Sequence, residues 1–296
     1  MGVCIILNPA AKGDKARRFR HLFDRFQGEF ELRLTTAAGH ARTLATMAVR
    51  EGFETVVAAG GDGTVNEVLN GIGDEPDGFA RCRFGVLPLG TVNVFGRELA
   101  MPLNVRRAWE VIRRGRERRI DLAQAEFDVE GQLTRRYFCQ MAGAGIDSRA
   151  IARVDWSLKK KTGPFAYVVA ALQTILSEQP KLTVTAGARR VTGVAILVGN
   201  GRLYGGSFRV FPRAHADDGQ LDVIVFSRCD WSVIARGLCR LALGQLDRLP
   251  EVTYFQTETL TLSSETSLPL ELEGENVGHL PARISVVKGG MRVIVP

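Results

Sequence analysis

The 296-residue sequence contains no run of uncharged apolar residues approaching the ~18 that a membrane-crossing helix requires, so a helical membrane anchor is not expected. Cysteine is sparse. Cys4, Cys82, Cys139, Cys229 and Cys239 are scattered, odd in number and free of metal-type spacing. This argues against a disulfide framework and predicts reduced, mostly buried thiols in a cytoplasmic protein. The four histidines form no HxxxH or HxH pair, so a zinc site is not expected. Neither an internal repeat nor a low-complexity segment is present, which excludes a solenoid. The residues from Met1 to Asn8 lack a basic segment and a cleavage site, and read as a first strand rather than a signal peptide.

Positive charge is in excess. The formal net charge is +7, with clusters at Arg106-Arg107, at Arg113, Arg114, Arg116, Arg118 and Arg119, and at Lys159-Lys160-Lys161. Such clusters serve either as solvated helix faces or as attraction for anionic lipid headgroups, at about 1 kcal/mol per basic residue near the surface. No aromatic-interleaved basic stripe accompanies them, so nucleic acid is not an expected partner.

The chain is long enough for one large domain or two smaller ones. Its first third alternates strands, at 3–7, 30–34, 55–58 and 84–87, with helices, at 15–27, 40–51, 65–72 and 105–114. That rhythm predicts a parallel sheet. Beyond about residue 120 the pattern changes to period-two alternation, at 121–127, 135–141, 181–185, 191–198, 220–226, 252–258, 259–263 and 270–273. These segments predict antiparallel strands of a sandwich or barrel-like sheet. Helices interrupt at about 148–161, 165–178 and 231–243, and strand-like segments return at 284–287 and 291–295. The apolar stretches 165–172 and 238–243 are expected to be core rather than contacts for an acyl chain.

Two glycine loops carry the chemistry. The apolar run 55–59 is followed by Gly60-Gly61-Asp62-Gly63-Thr64 and then by a helical pattern starting at Val65 and Asn66. Glycine admits positive φ and close approach to the main chain. The exposed N–H groups and helix dipole then favour an anion, with phosphate foremost. An aspartate in such a loop repels phosphate unless a metal ion or a proton-transfer role offsets its charge, so the loop points to nucleotide phosphates, Mg²⁺ and phosphoryl transfer. An ordinary turn capped by Asp62 or Thr64 is the plainer reading. One αβ crossover later, Pro88-Leu89-Gly90-Thr91-Val92-Asn93 follows a second buried run. Both loops then lie at the carboxyl edge of one parallel sheet, where ligands bind in open α/β folds. Neither loop matches the Walker pattern GxxxxGK[ST].

These loops resemble the diacylglycerol kinase catalytic-domain family, which includes bacterial lipid kinases and the sphingosine and ceramide kinases. Further matches follow in order: Asn8-Pro9-Ala10-Ala11, Gly143-Ala144-Gly145-Ile146-Asp147, Tyr204-Gly205-Gly206, Asp217-Asp218-Gly219-Gln220-Leu221-Asp222 and Glu273-Gly274-Glu275. The resemblance spans essentially the whole chain. It implies an α/β N-terminal domain of the NAD kinase/phosphofructokinase type, residues 1–119, to which 286–296 returns. A mainly antiparallel β-sandwich, residues 120–285, then takes the lipid. It implies ATP as phosphoryl donor, Mg²⁺ as cofactor and a lipid hydroxyl as acceptor at an anionic membrane surface. The protein would be cytoplasmic and reversibly peripheral on the inner membrane, and a homodimer is compatible with it.

Carried onto residues, the resemblance gives a nucleotide cradle from Asn8, Thr35, Gly60, Gly61, Asp62, Gly63, Thr64, Val65, Asn66, Gly90 and Thr91. Thr35 reads equally as a helix cap ahead of His40. Glu275 is the candidate general base, with Asp62 competing; Asp62 serves alternatively to order a water or hold catalytic Mg²⁺. For Glu273-Gly274-Glu275 the plainer reading is a turn between exposed strands with solvated acids. The loop His215-Ala216-Asp217-Asp218-Gly219-Gln220 resembles one holding a structural Mg²⁺, through the Asp218 carboxylate and the carbonyls of His215 and Gln220. An Asp-Gly turn suits the same residues. Two positions depart from the family pattern: Glu273 replaces the usual aspartate, and Val94 stands where many members carry one. Two other functions remain open: an NAD kinase-like enzyme, whose family shares Gly-Gly-Asp-Gly-Thr, and a non-catalytic lipid- or nucleotide-binding protein.

Overall fold

Three of the first four strands are short apolar runs buried along nearly their whole length, as strands covered on both faces are; the other, 30–34, is a part-exposed edge strand. The computed structural model describes residues 2–10, 28–145 and 179–296. The helices expected at 15–27, 148–161 and 165–178, the Lys159–Lys161 cluster and the apolar stretch 165–172 lie outside them. Strands β1 (Val3–Leu7), β2 (Phe30–Leu34), β3 (Thr55–Gly60) and β4 (Arg83–Pro88) pair in parallel in the order β2-β1-β3-β4. Helices α1 (His40–Arg50), α2 (Asp62–Gly73), α3 (Gly78–Arg81), α4 (Val94–Glu98) and α5 (Val105–Arg114) occur between and after them. Ile5, Ile6, Val57, Leu69, Phe84 and Trp109 are buried together in the first core. Register sets Gly60 beside Pro88 and Leu7 beside Ala59, so three strand ends meet at one edge.

The remaining strands are β5 (Arg116–Val129), β6 (Gln132–Phe138), β7 (Met141–Gly145), β8 (Leu182–Ala186), β9 (Arg189–Gly193), β10 (Ala195–Gly199), β11 (Leu203–Tyr204), β12 (Phe208–Arg209) and β13 (Leu221–Phe226). Helix α6 (Trp231–Ala242) follows, then β14 (Val252–Thr257), β15 (Thr259–Ser264), β16 (Pro269–Leu272), β17 (Glu275–His279) and β18 (Ala282–Val295). Strands β14-β13-β10-β7-β16-β17 form an antiparallel sheet. It packs on β5, β8, β15 and β18 through Phe127, Val184, Ile196, Val223, Leu270 and Ile284. The α/β first half and mainly antiparallel second half are as expected. Strand β18 joins them: Val293 pairs with Phe84 of β4 in parallel, while residues 282–295 run antiparallel to β5.

Several elements differ from the periodicity. The strand expected over 135–141 divides into β6 and β7, because the N–H groups of Cys139 and Gln140 turn to the carboxylate of Glu273, at 2.6 and 2.8 Å. The segment 191–198 divides at Val194, whose N–H bonds Phe226 O at 2.8 Å. The strands expected at 284–287 and 291–295 are one strand with an irregularity between Val287 and Met291. Strand β17 has no counterpart in the expected pattern. The stretch 238–243, expected as core, instead exposes Leu238 (62 %) and Leu243 (67 %).

Candidate active site

The first glycine loop is tightly crowded. A Cβ on Gly60 would lie 2.4 Å from Thr64 Oγ1, and one on Gly90 would lie 2.5 Å from Gly61 Cα. Glycine is therefore required where the two loops touch. Leu89 N and Gly90 N both donate to Gly60 O, at 3.0 and 3.1 Å. Asn93 closes the second loop: it is buried and left-handed (φ 54), its Oδ1 accepts from Gly90 N at 2.8 Å, and its Nδ2 donates to Gly90 O at 2.7 Å. Asn8 Nδ2 reaches Thr64 Oγ1 at 3.3 Å. The N-cap residue of α2 is Gly61, which has no side chain to offer, and Asp62 and Thr64 lie just inside the helix. The first N–H groups of α2 have no partner within the helix.

Asp62 Oδ1 instead accepts from Phe95 N at 3.4 Å, at the start of α4. Burial pushes its carboxyl above the ordinary range, against the N–H groups of Phe95, Val94 and Asn93, which pull it down. With valine at 94, Asp62 meets no second carboxylate from that helix start. Thr91 is exposed. Thr35 is buried, with its N–H on Leu7 O at 2.9 Å. It does not cap α1, which has no cap side chain from its N-cap residue. Glu67 caps that helix instead, accepting from Gly39 N at 2.9 Å and Ala41 N at 3.0 Å. The position of Glu67 in the first-loop run was visible in the sequence; its partners 26 and 28 residues away were not.

The opposite wall is the β16–β17 hairpin. Glu273 (φ 55) and Gly274 (φ 87) form its two-residue turn, with Leu272 paired to Glu275. Two successive positive φ values match the type I′ turn of tight hairpins. The turn is thus present, but Glu273 is not solvated. It is half-buried, and its Oε1 takes the Cys139 and Gln140 N–H groups. Burial pushes its carboxyl up to about 7, and the charges of Asp62 and Glu275 add to that against the two N–H bonds. Glu275 is exposed at the rim, where a Cβ on Gly63 would lie 3.8 Å from its Oε1. Between the walls, Asp62, Val65, Asn66, Leu69, Phe95, Cys139 and Glu273 close around a cleft too narrow for a water molecule. Asn66 and Asn70 fasten α2 to β6: each Nδ2 donates to Tyr137 O, at 3.3 and 3.0 Å, and Tyr137 N donates to Asn70 Oδ1 at 2.9 Å. The structure therefore brings Asp62, Glu273 and Glu275 together beside the glycine loops.

The 215–220 loop lies elsewhere, between β12 and β13. Asp218 Oδ1 accepts from Gln220 N at 2.9 Å, and its N–H approaches His215 O at 3.5 Å. The loop is tied down by Asp121, which sequence reasoning missed. Asp121 is buried, and its carboxylate takes Gly219 N at 2.6 Å and Gly289 N at 2.7 Å. An acid flanked by Ile120 and Leu122 was the available signal, since a buried carboxylate needs partners. Among the described residues, no group of three His, Cys, Asp or Glu side chains could hold a metal ion.

Residues 2–125 match the family model described as the diacylglycerol kinase catalytic domain, and residues 140–295 match the YegS C-terminal NAD kinase beta sandwich-like domain. The chain is 30% identical to a diacylglycerol kinase of Staphylococcus carnosus (strain TM300) over 269 residues, covering 88% of this chain and 83% of that one. It is also 30% identical to one of Staphylococcus aureus (strain JH9) over 265 residues, covering 88% and 81%. A crystal structure of a diacylglycerol kinase from Bacillus anthracis str. Sterne superposes with a TM-score of 0.80 at 22% identity, covering 100% of this chain and 97% of that one. At that identity the likeness concerns the fold.

Proposed function

Since the chain belongs to the diacylglycerol kinase catalytic-domain family, we propose that this lipid kinase transfers the γ-phosphoryl group of ATP to a hydroxyl of diacylglycerol or a related lipid. The observation that carries the reading is the acidic cluster itself: Asp62, Glu273 and Glu275 stand together at the amino end of α2. Phosphoryl transfer requires a phosphate cradle and a group that takes the substrate proton. Asn8, Thr35, Gly60 to Asn66, Gly90 and Thr91 supply the cradle. Glu275, at the open rim, accepts the hydroxyl proton as the hydroxyl oxygen attacks phosphorus. Asp62 holds the amino end of α4 against the phosphate loop and remains the alternative base. Glu273 fixes the turn that carries Glu275.

The residues at 215–220 fit Mg²⁺: the donors are all oxygens, from the Asp218 carboxylate and the His215 and Gln220 carbonyls, which suits a hard cation. When bound, Mg²⁺ would fix this loop. The same reading assigns residues 1–119 with 286–296 to nucleotide and 120–285 to lipid, and the pairing of β18 with β4 supports that division.

Radiolabelled ATP offered with diacylglycerol and sphingoid bases in mixed micelles, with NAD as a parallel acceptor, tests the proposal. Label should enter diacylglycerol. Label in NAD, or in no acceptor, overturns it.

A further inference from the structure

Helix α6 is unusual among the helices described here in what it leaves uncovered. Of its residues only Val233 is buried. Trp231, Ala235, Leu238 and Ala242 recur at i, i+4, i+7 and i+11 and so share one face. All four are exposed, Trp231 by 51 % and Leu238 by 62 %, and Leu243 just beyond is 67 % exposed. Such a stripe normally meets a core. The helix is not a loose end, because the Asp230 carboxylate caps it through Ser232 N at 2.9 Å and Val233 N at 3.0 Å. It packs on the 3-10 turn Leu246–Arg248 and on β12, where Phe208 is again 51 % exposed.

Charge identifies the occupant. Helix α6 carries Arg236 and Arg240 and no acid of its own; the acid at its cap, Asp230, faces Arg228 at 3.6 Å. Arg236 shares the single carboxylate of Glu251 with Arg228. Arg209 and Arg248 are exposed beside it. A twofold dimer would set this face against itself, arginine facing arginine with no acid from the helix between. An anionic bilayer offers apolar chains and negative headgroups together, which is what an interfacial helix of this kind binds.

The face is also coupled to the cleft. The β11–β12 hairpin lies between α6 and α4. Glu98 of α4 holds that hairpin through Arg202 N and Leu203 N, both at 3.0 Å. A Cβ on Gly206 would lie 3.6 Å from Val92 in the second glycine loop.

We propose that the exposed face of α6 is the surface by which the protein docks on an anionic lipid bilayer, with Trp231, Leu238 and Leu243 among the headgroups. This deepens the lipid-kinase reading and rests on it for the choice of bilayer over another partner.

The test is sedimentation of the full chain with vesicles of phosphatidylcholine containing phosphatidylglycerol, and of phosphatidylcholine alone, at low and high salt. The wild type should bind the anionic vesicles better, and salt should weaken that binding. The Trp231→Ser/Leu238→Ser double variant should bind at least about tenfold more weakly. Leu133→Ser, at a leucine 78 % exposed on β6, should bind like wild type and controls for loss of any surface apolar group. The double variant should keep its activity on a short-chain diacylglycerol dissolved as monomers and lose it on vesicle-embedded diacylglycerol. Unchanged vesicle binding by the double variant overturns the proposal. So does a halving of the mass in light scattering with vesicle binding intact, which would identify the face as a dimer contact. A wild type that ignores all vesicles yet phosphorylates the monomeric lipid overturns the docking surface alone and leaves the kinase reading standing.

Discussion

Two hairpins of this protein turn on the same dipeptide in the same conformation. Glu130-Gly131 joins β5 to β6 with φ of 54 and 81, and Glu273-Gly274 joins β16 to β17 with φ of 55 and 87. Both glutamates sit left-handed at the first turn position. Glu130 stands in solvent, and its turn is completed by Asp128, which accepts Gly131 N at 2.8 Å. Glu273 is drawn inward by two N–H groups at the distant break between β6 and β7 and stands beside Asp62 and Glu275. Local sequence makes the turn in both cases. Whether the turn becomes chemistry depends on what the rest of the chain sets opposite it.

The largest way to break the comparison is to remove the charges that only one hairpin faces. Asp62→Asn and Glu275→Gln should each lower kcat by at least about 10²-fold, the low end for losing a positioned acid or base. Glu130→Gln should leave kcat unchanged. In Glu275→Gln the ATP dissociation constant should move by less than about threefold, well under the tenfold that 1.4 kcal/mol represents. Calorimetric titration with ATP and Mg²⁺ beside the lipid assay reads both. Near-normal turnover in either acid variant removes that residue from the chemistry.

The next effect is on stability against pH. Glu273 is raised in the folded protein from an ordinary 4.5 to about 7. Between those values the folded state binds more protons than the unfolded one, so this group's contribution is full below about pH 4.5 and is lost as pH rises through about 7. Glu273→Gln should therefore gain on wild type, by on the order of 1 kcal/mol or more, as pH rises across that window. Urea unfolding at a series of pH values measures it. Parallel curves for the two proteins would show that Glu273 does not titrate there.

The smallest effect sharpens the likeness. Nothing lies within 4 Å of a Cβ placed on Gly131 or Gly274, so alanine at either meets only backbone strain. Gly131→Ala and Gly274→Ala should each cost about 1 kcal/mol in thermal or urea unfolding. A markedly larger loss at Gly274 would mean that the cleft, and not the turn, sets its conformation.

The glycine loops were legible because everything that makes them is local. The apolar run, the glycines and the helix start all lie within a dozen residues, and the βαβ rhythm then fixes their common edge. The break between β6 and β7 was not legible, because the carboxylate that captures Cys139 N comes from a residue 134 positions later. Strand β17 was missed for a related reason: Glu275-Asn276-Val277-Gly278-His279 has little strand propensity and is held by pairing with β16. The capping of α1 by Glu67 is likewise a contact between helices. For α6 the periodicity was correct and the inference from it was not, since a helical apolar stripe looks the same whether it faces a core or the outside.

Strand β18 has a consequence for how the chain is made. It lies between β4 and β15 in the larger sheet and also carries β5. During synthesis every other described strand emerges before it. Until about residue 295 has left the ribosome, β4 and β15 have a vacant place between them and β5 lacks its longest ladder. The early strands therefore wait with unpaired edges, a condition that exposes nascent chains to misassembly. A chain shortened by the length of β18 would lose the ladder common to both halves at once.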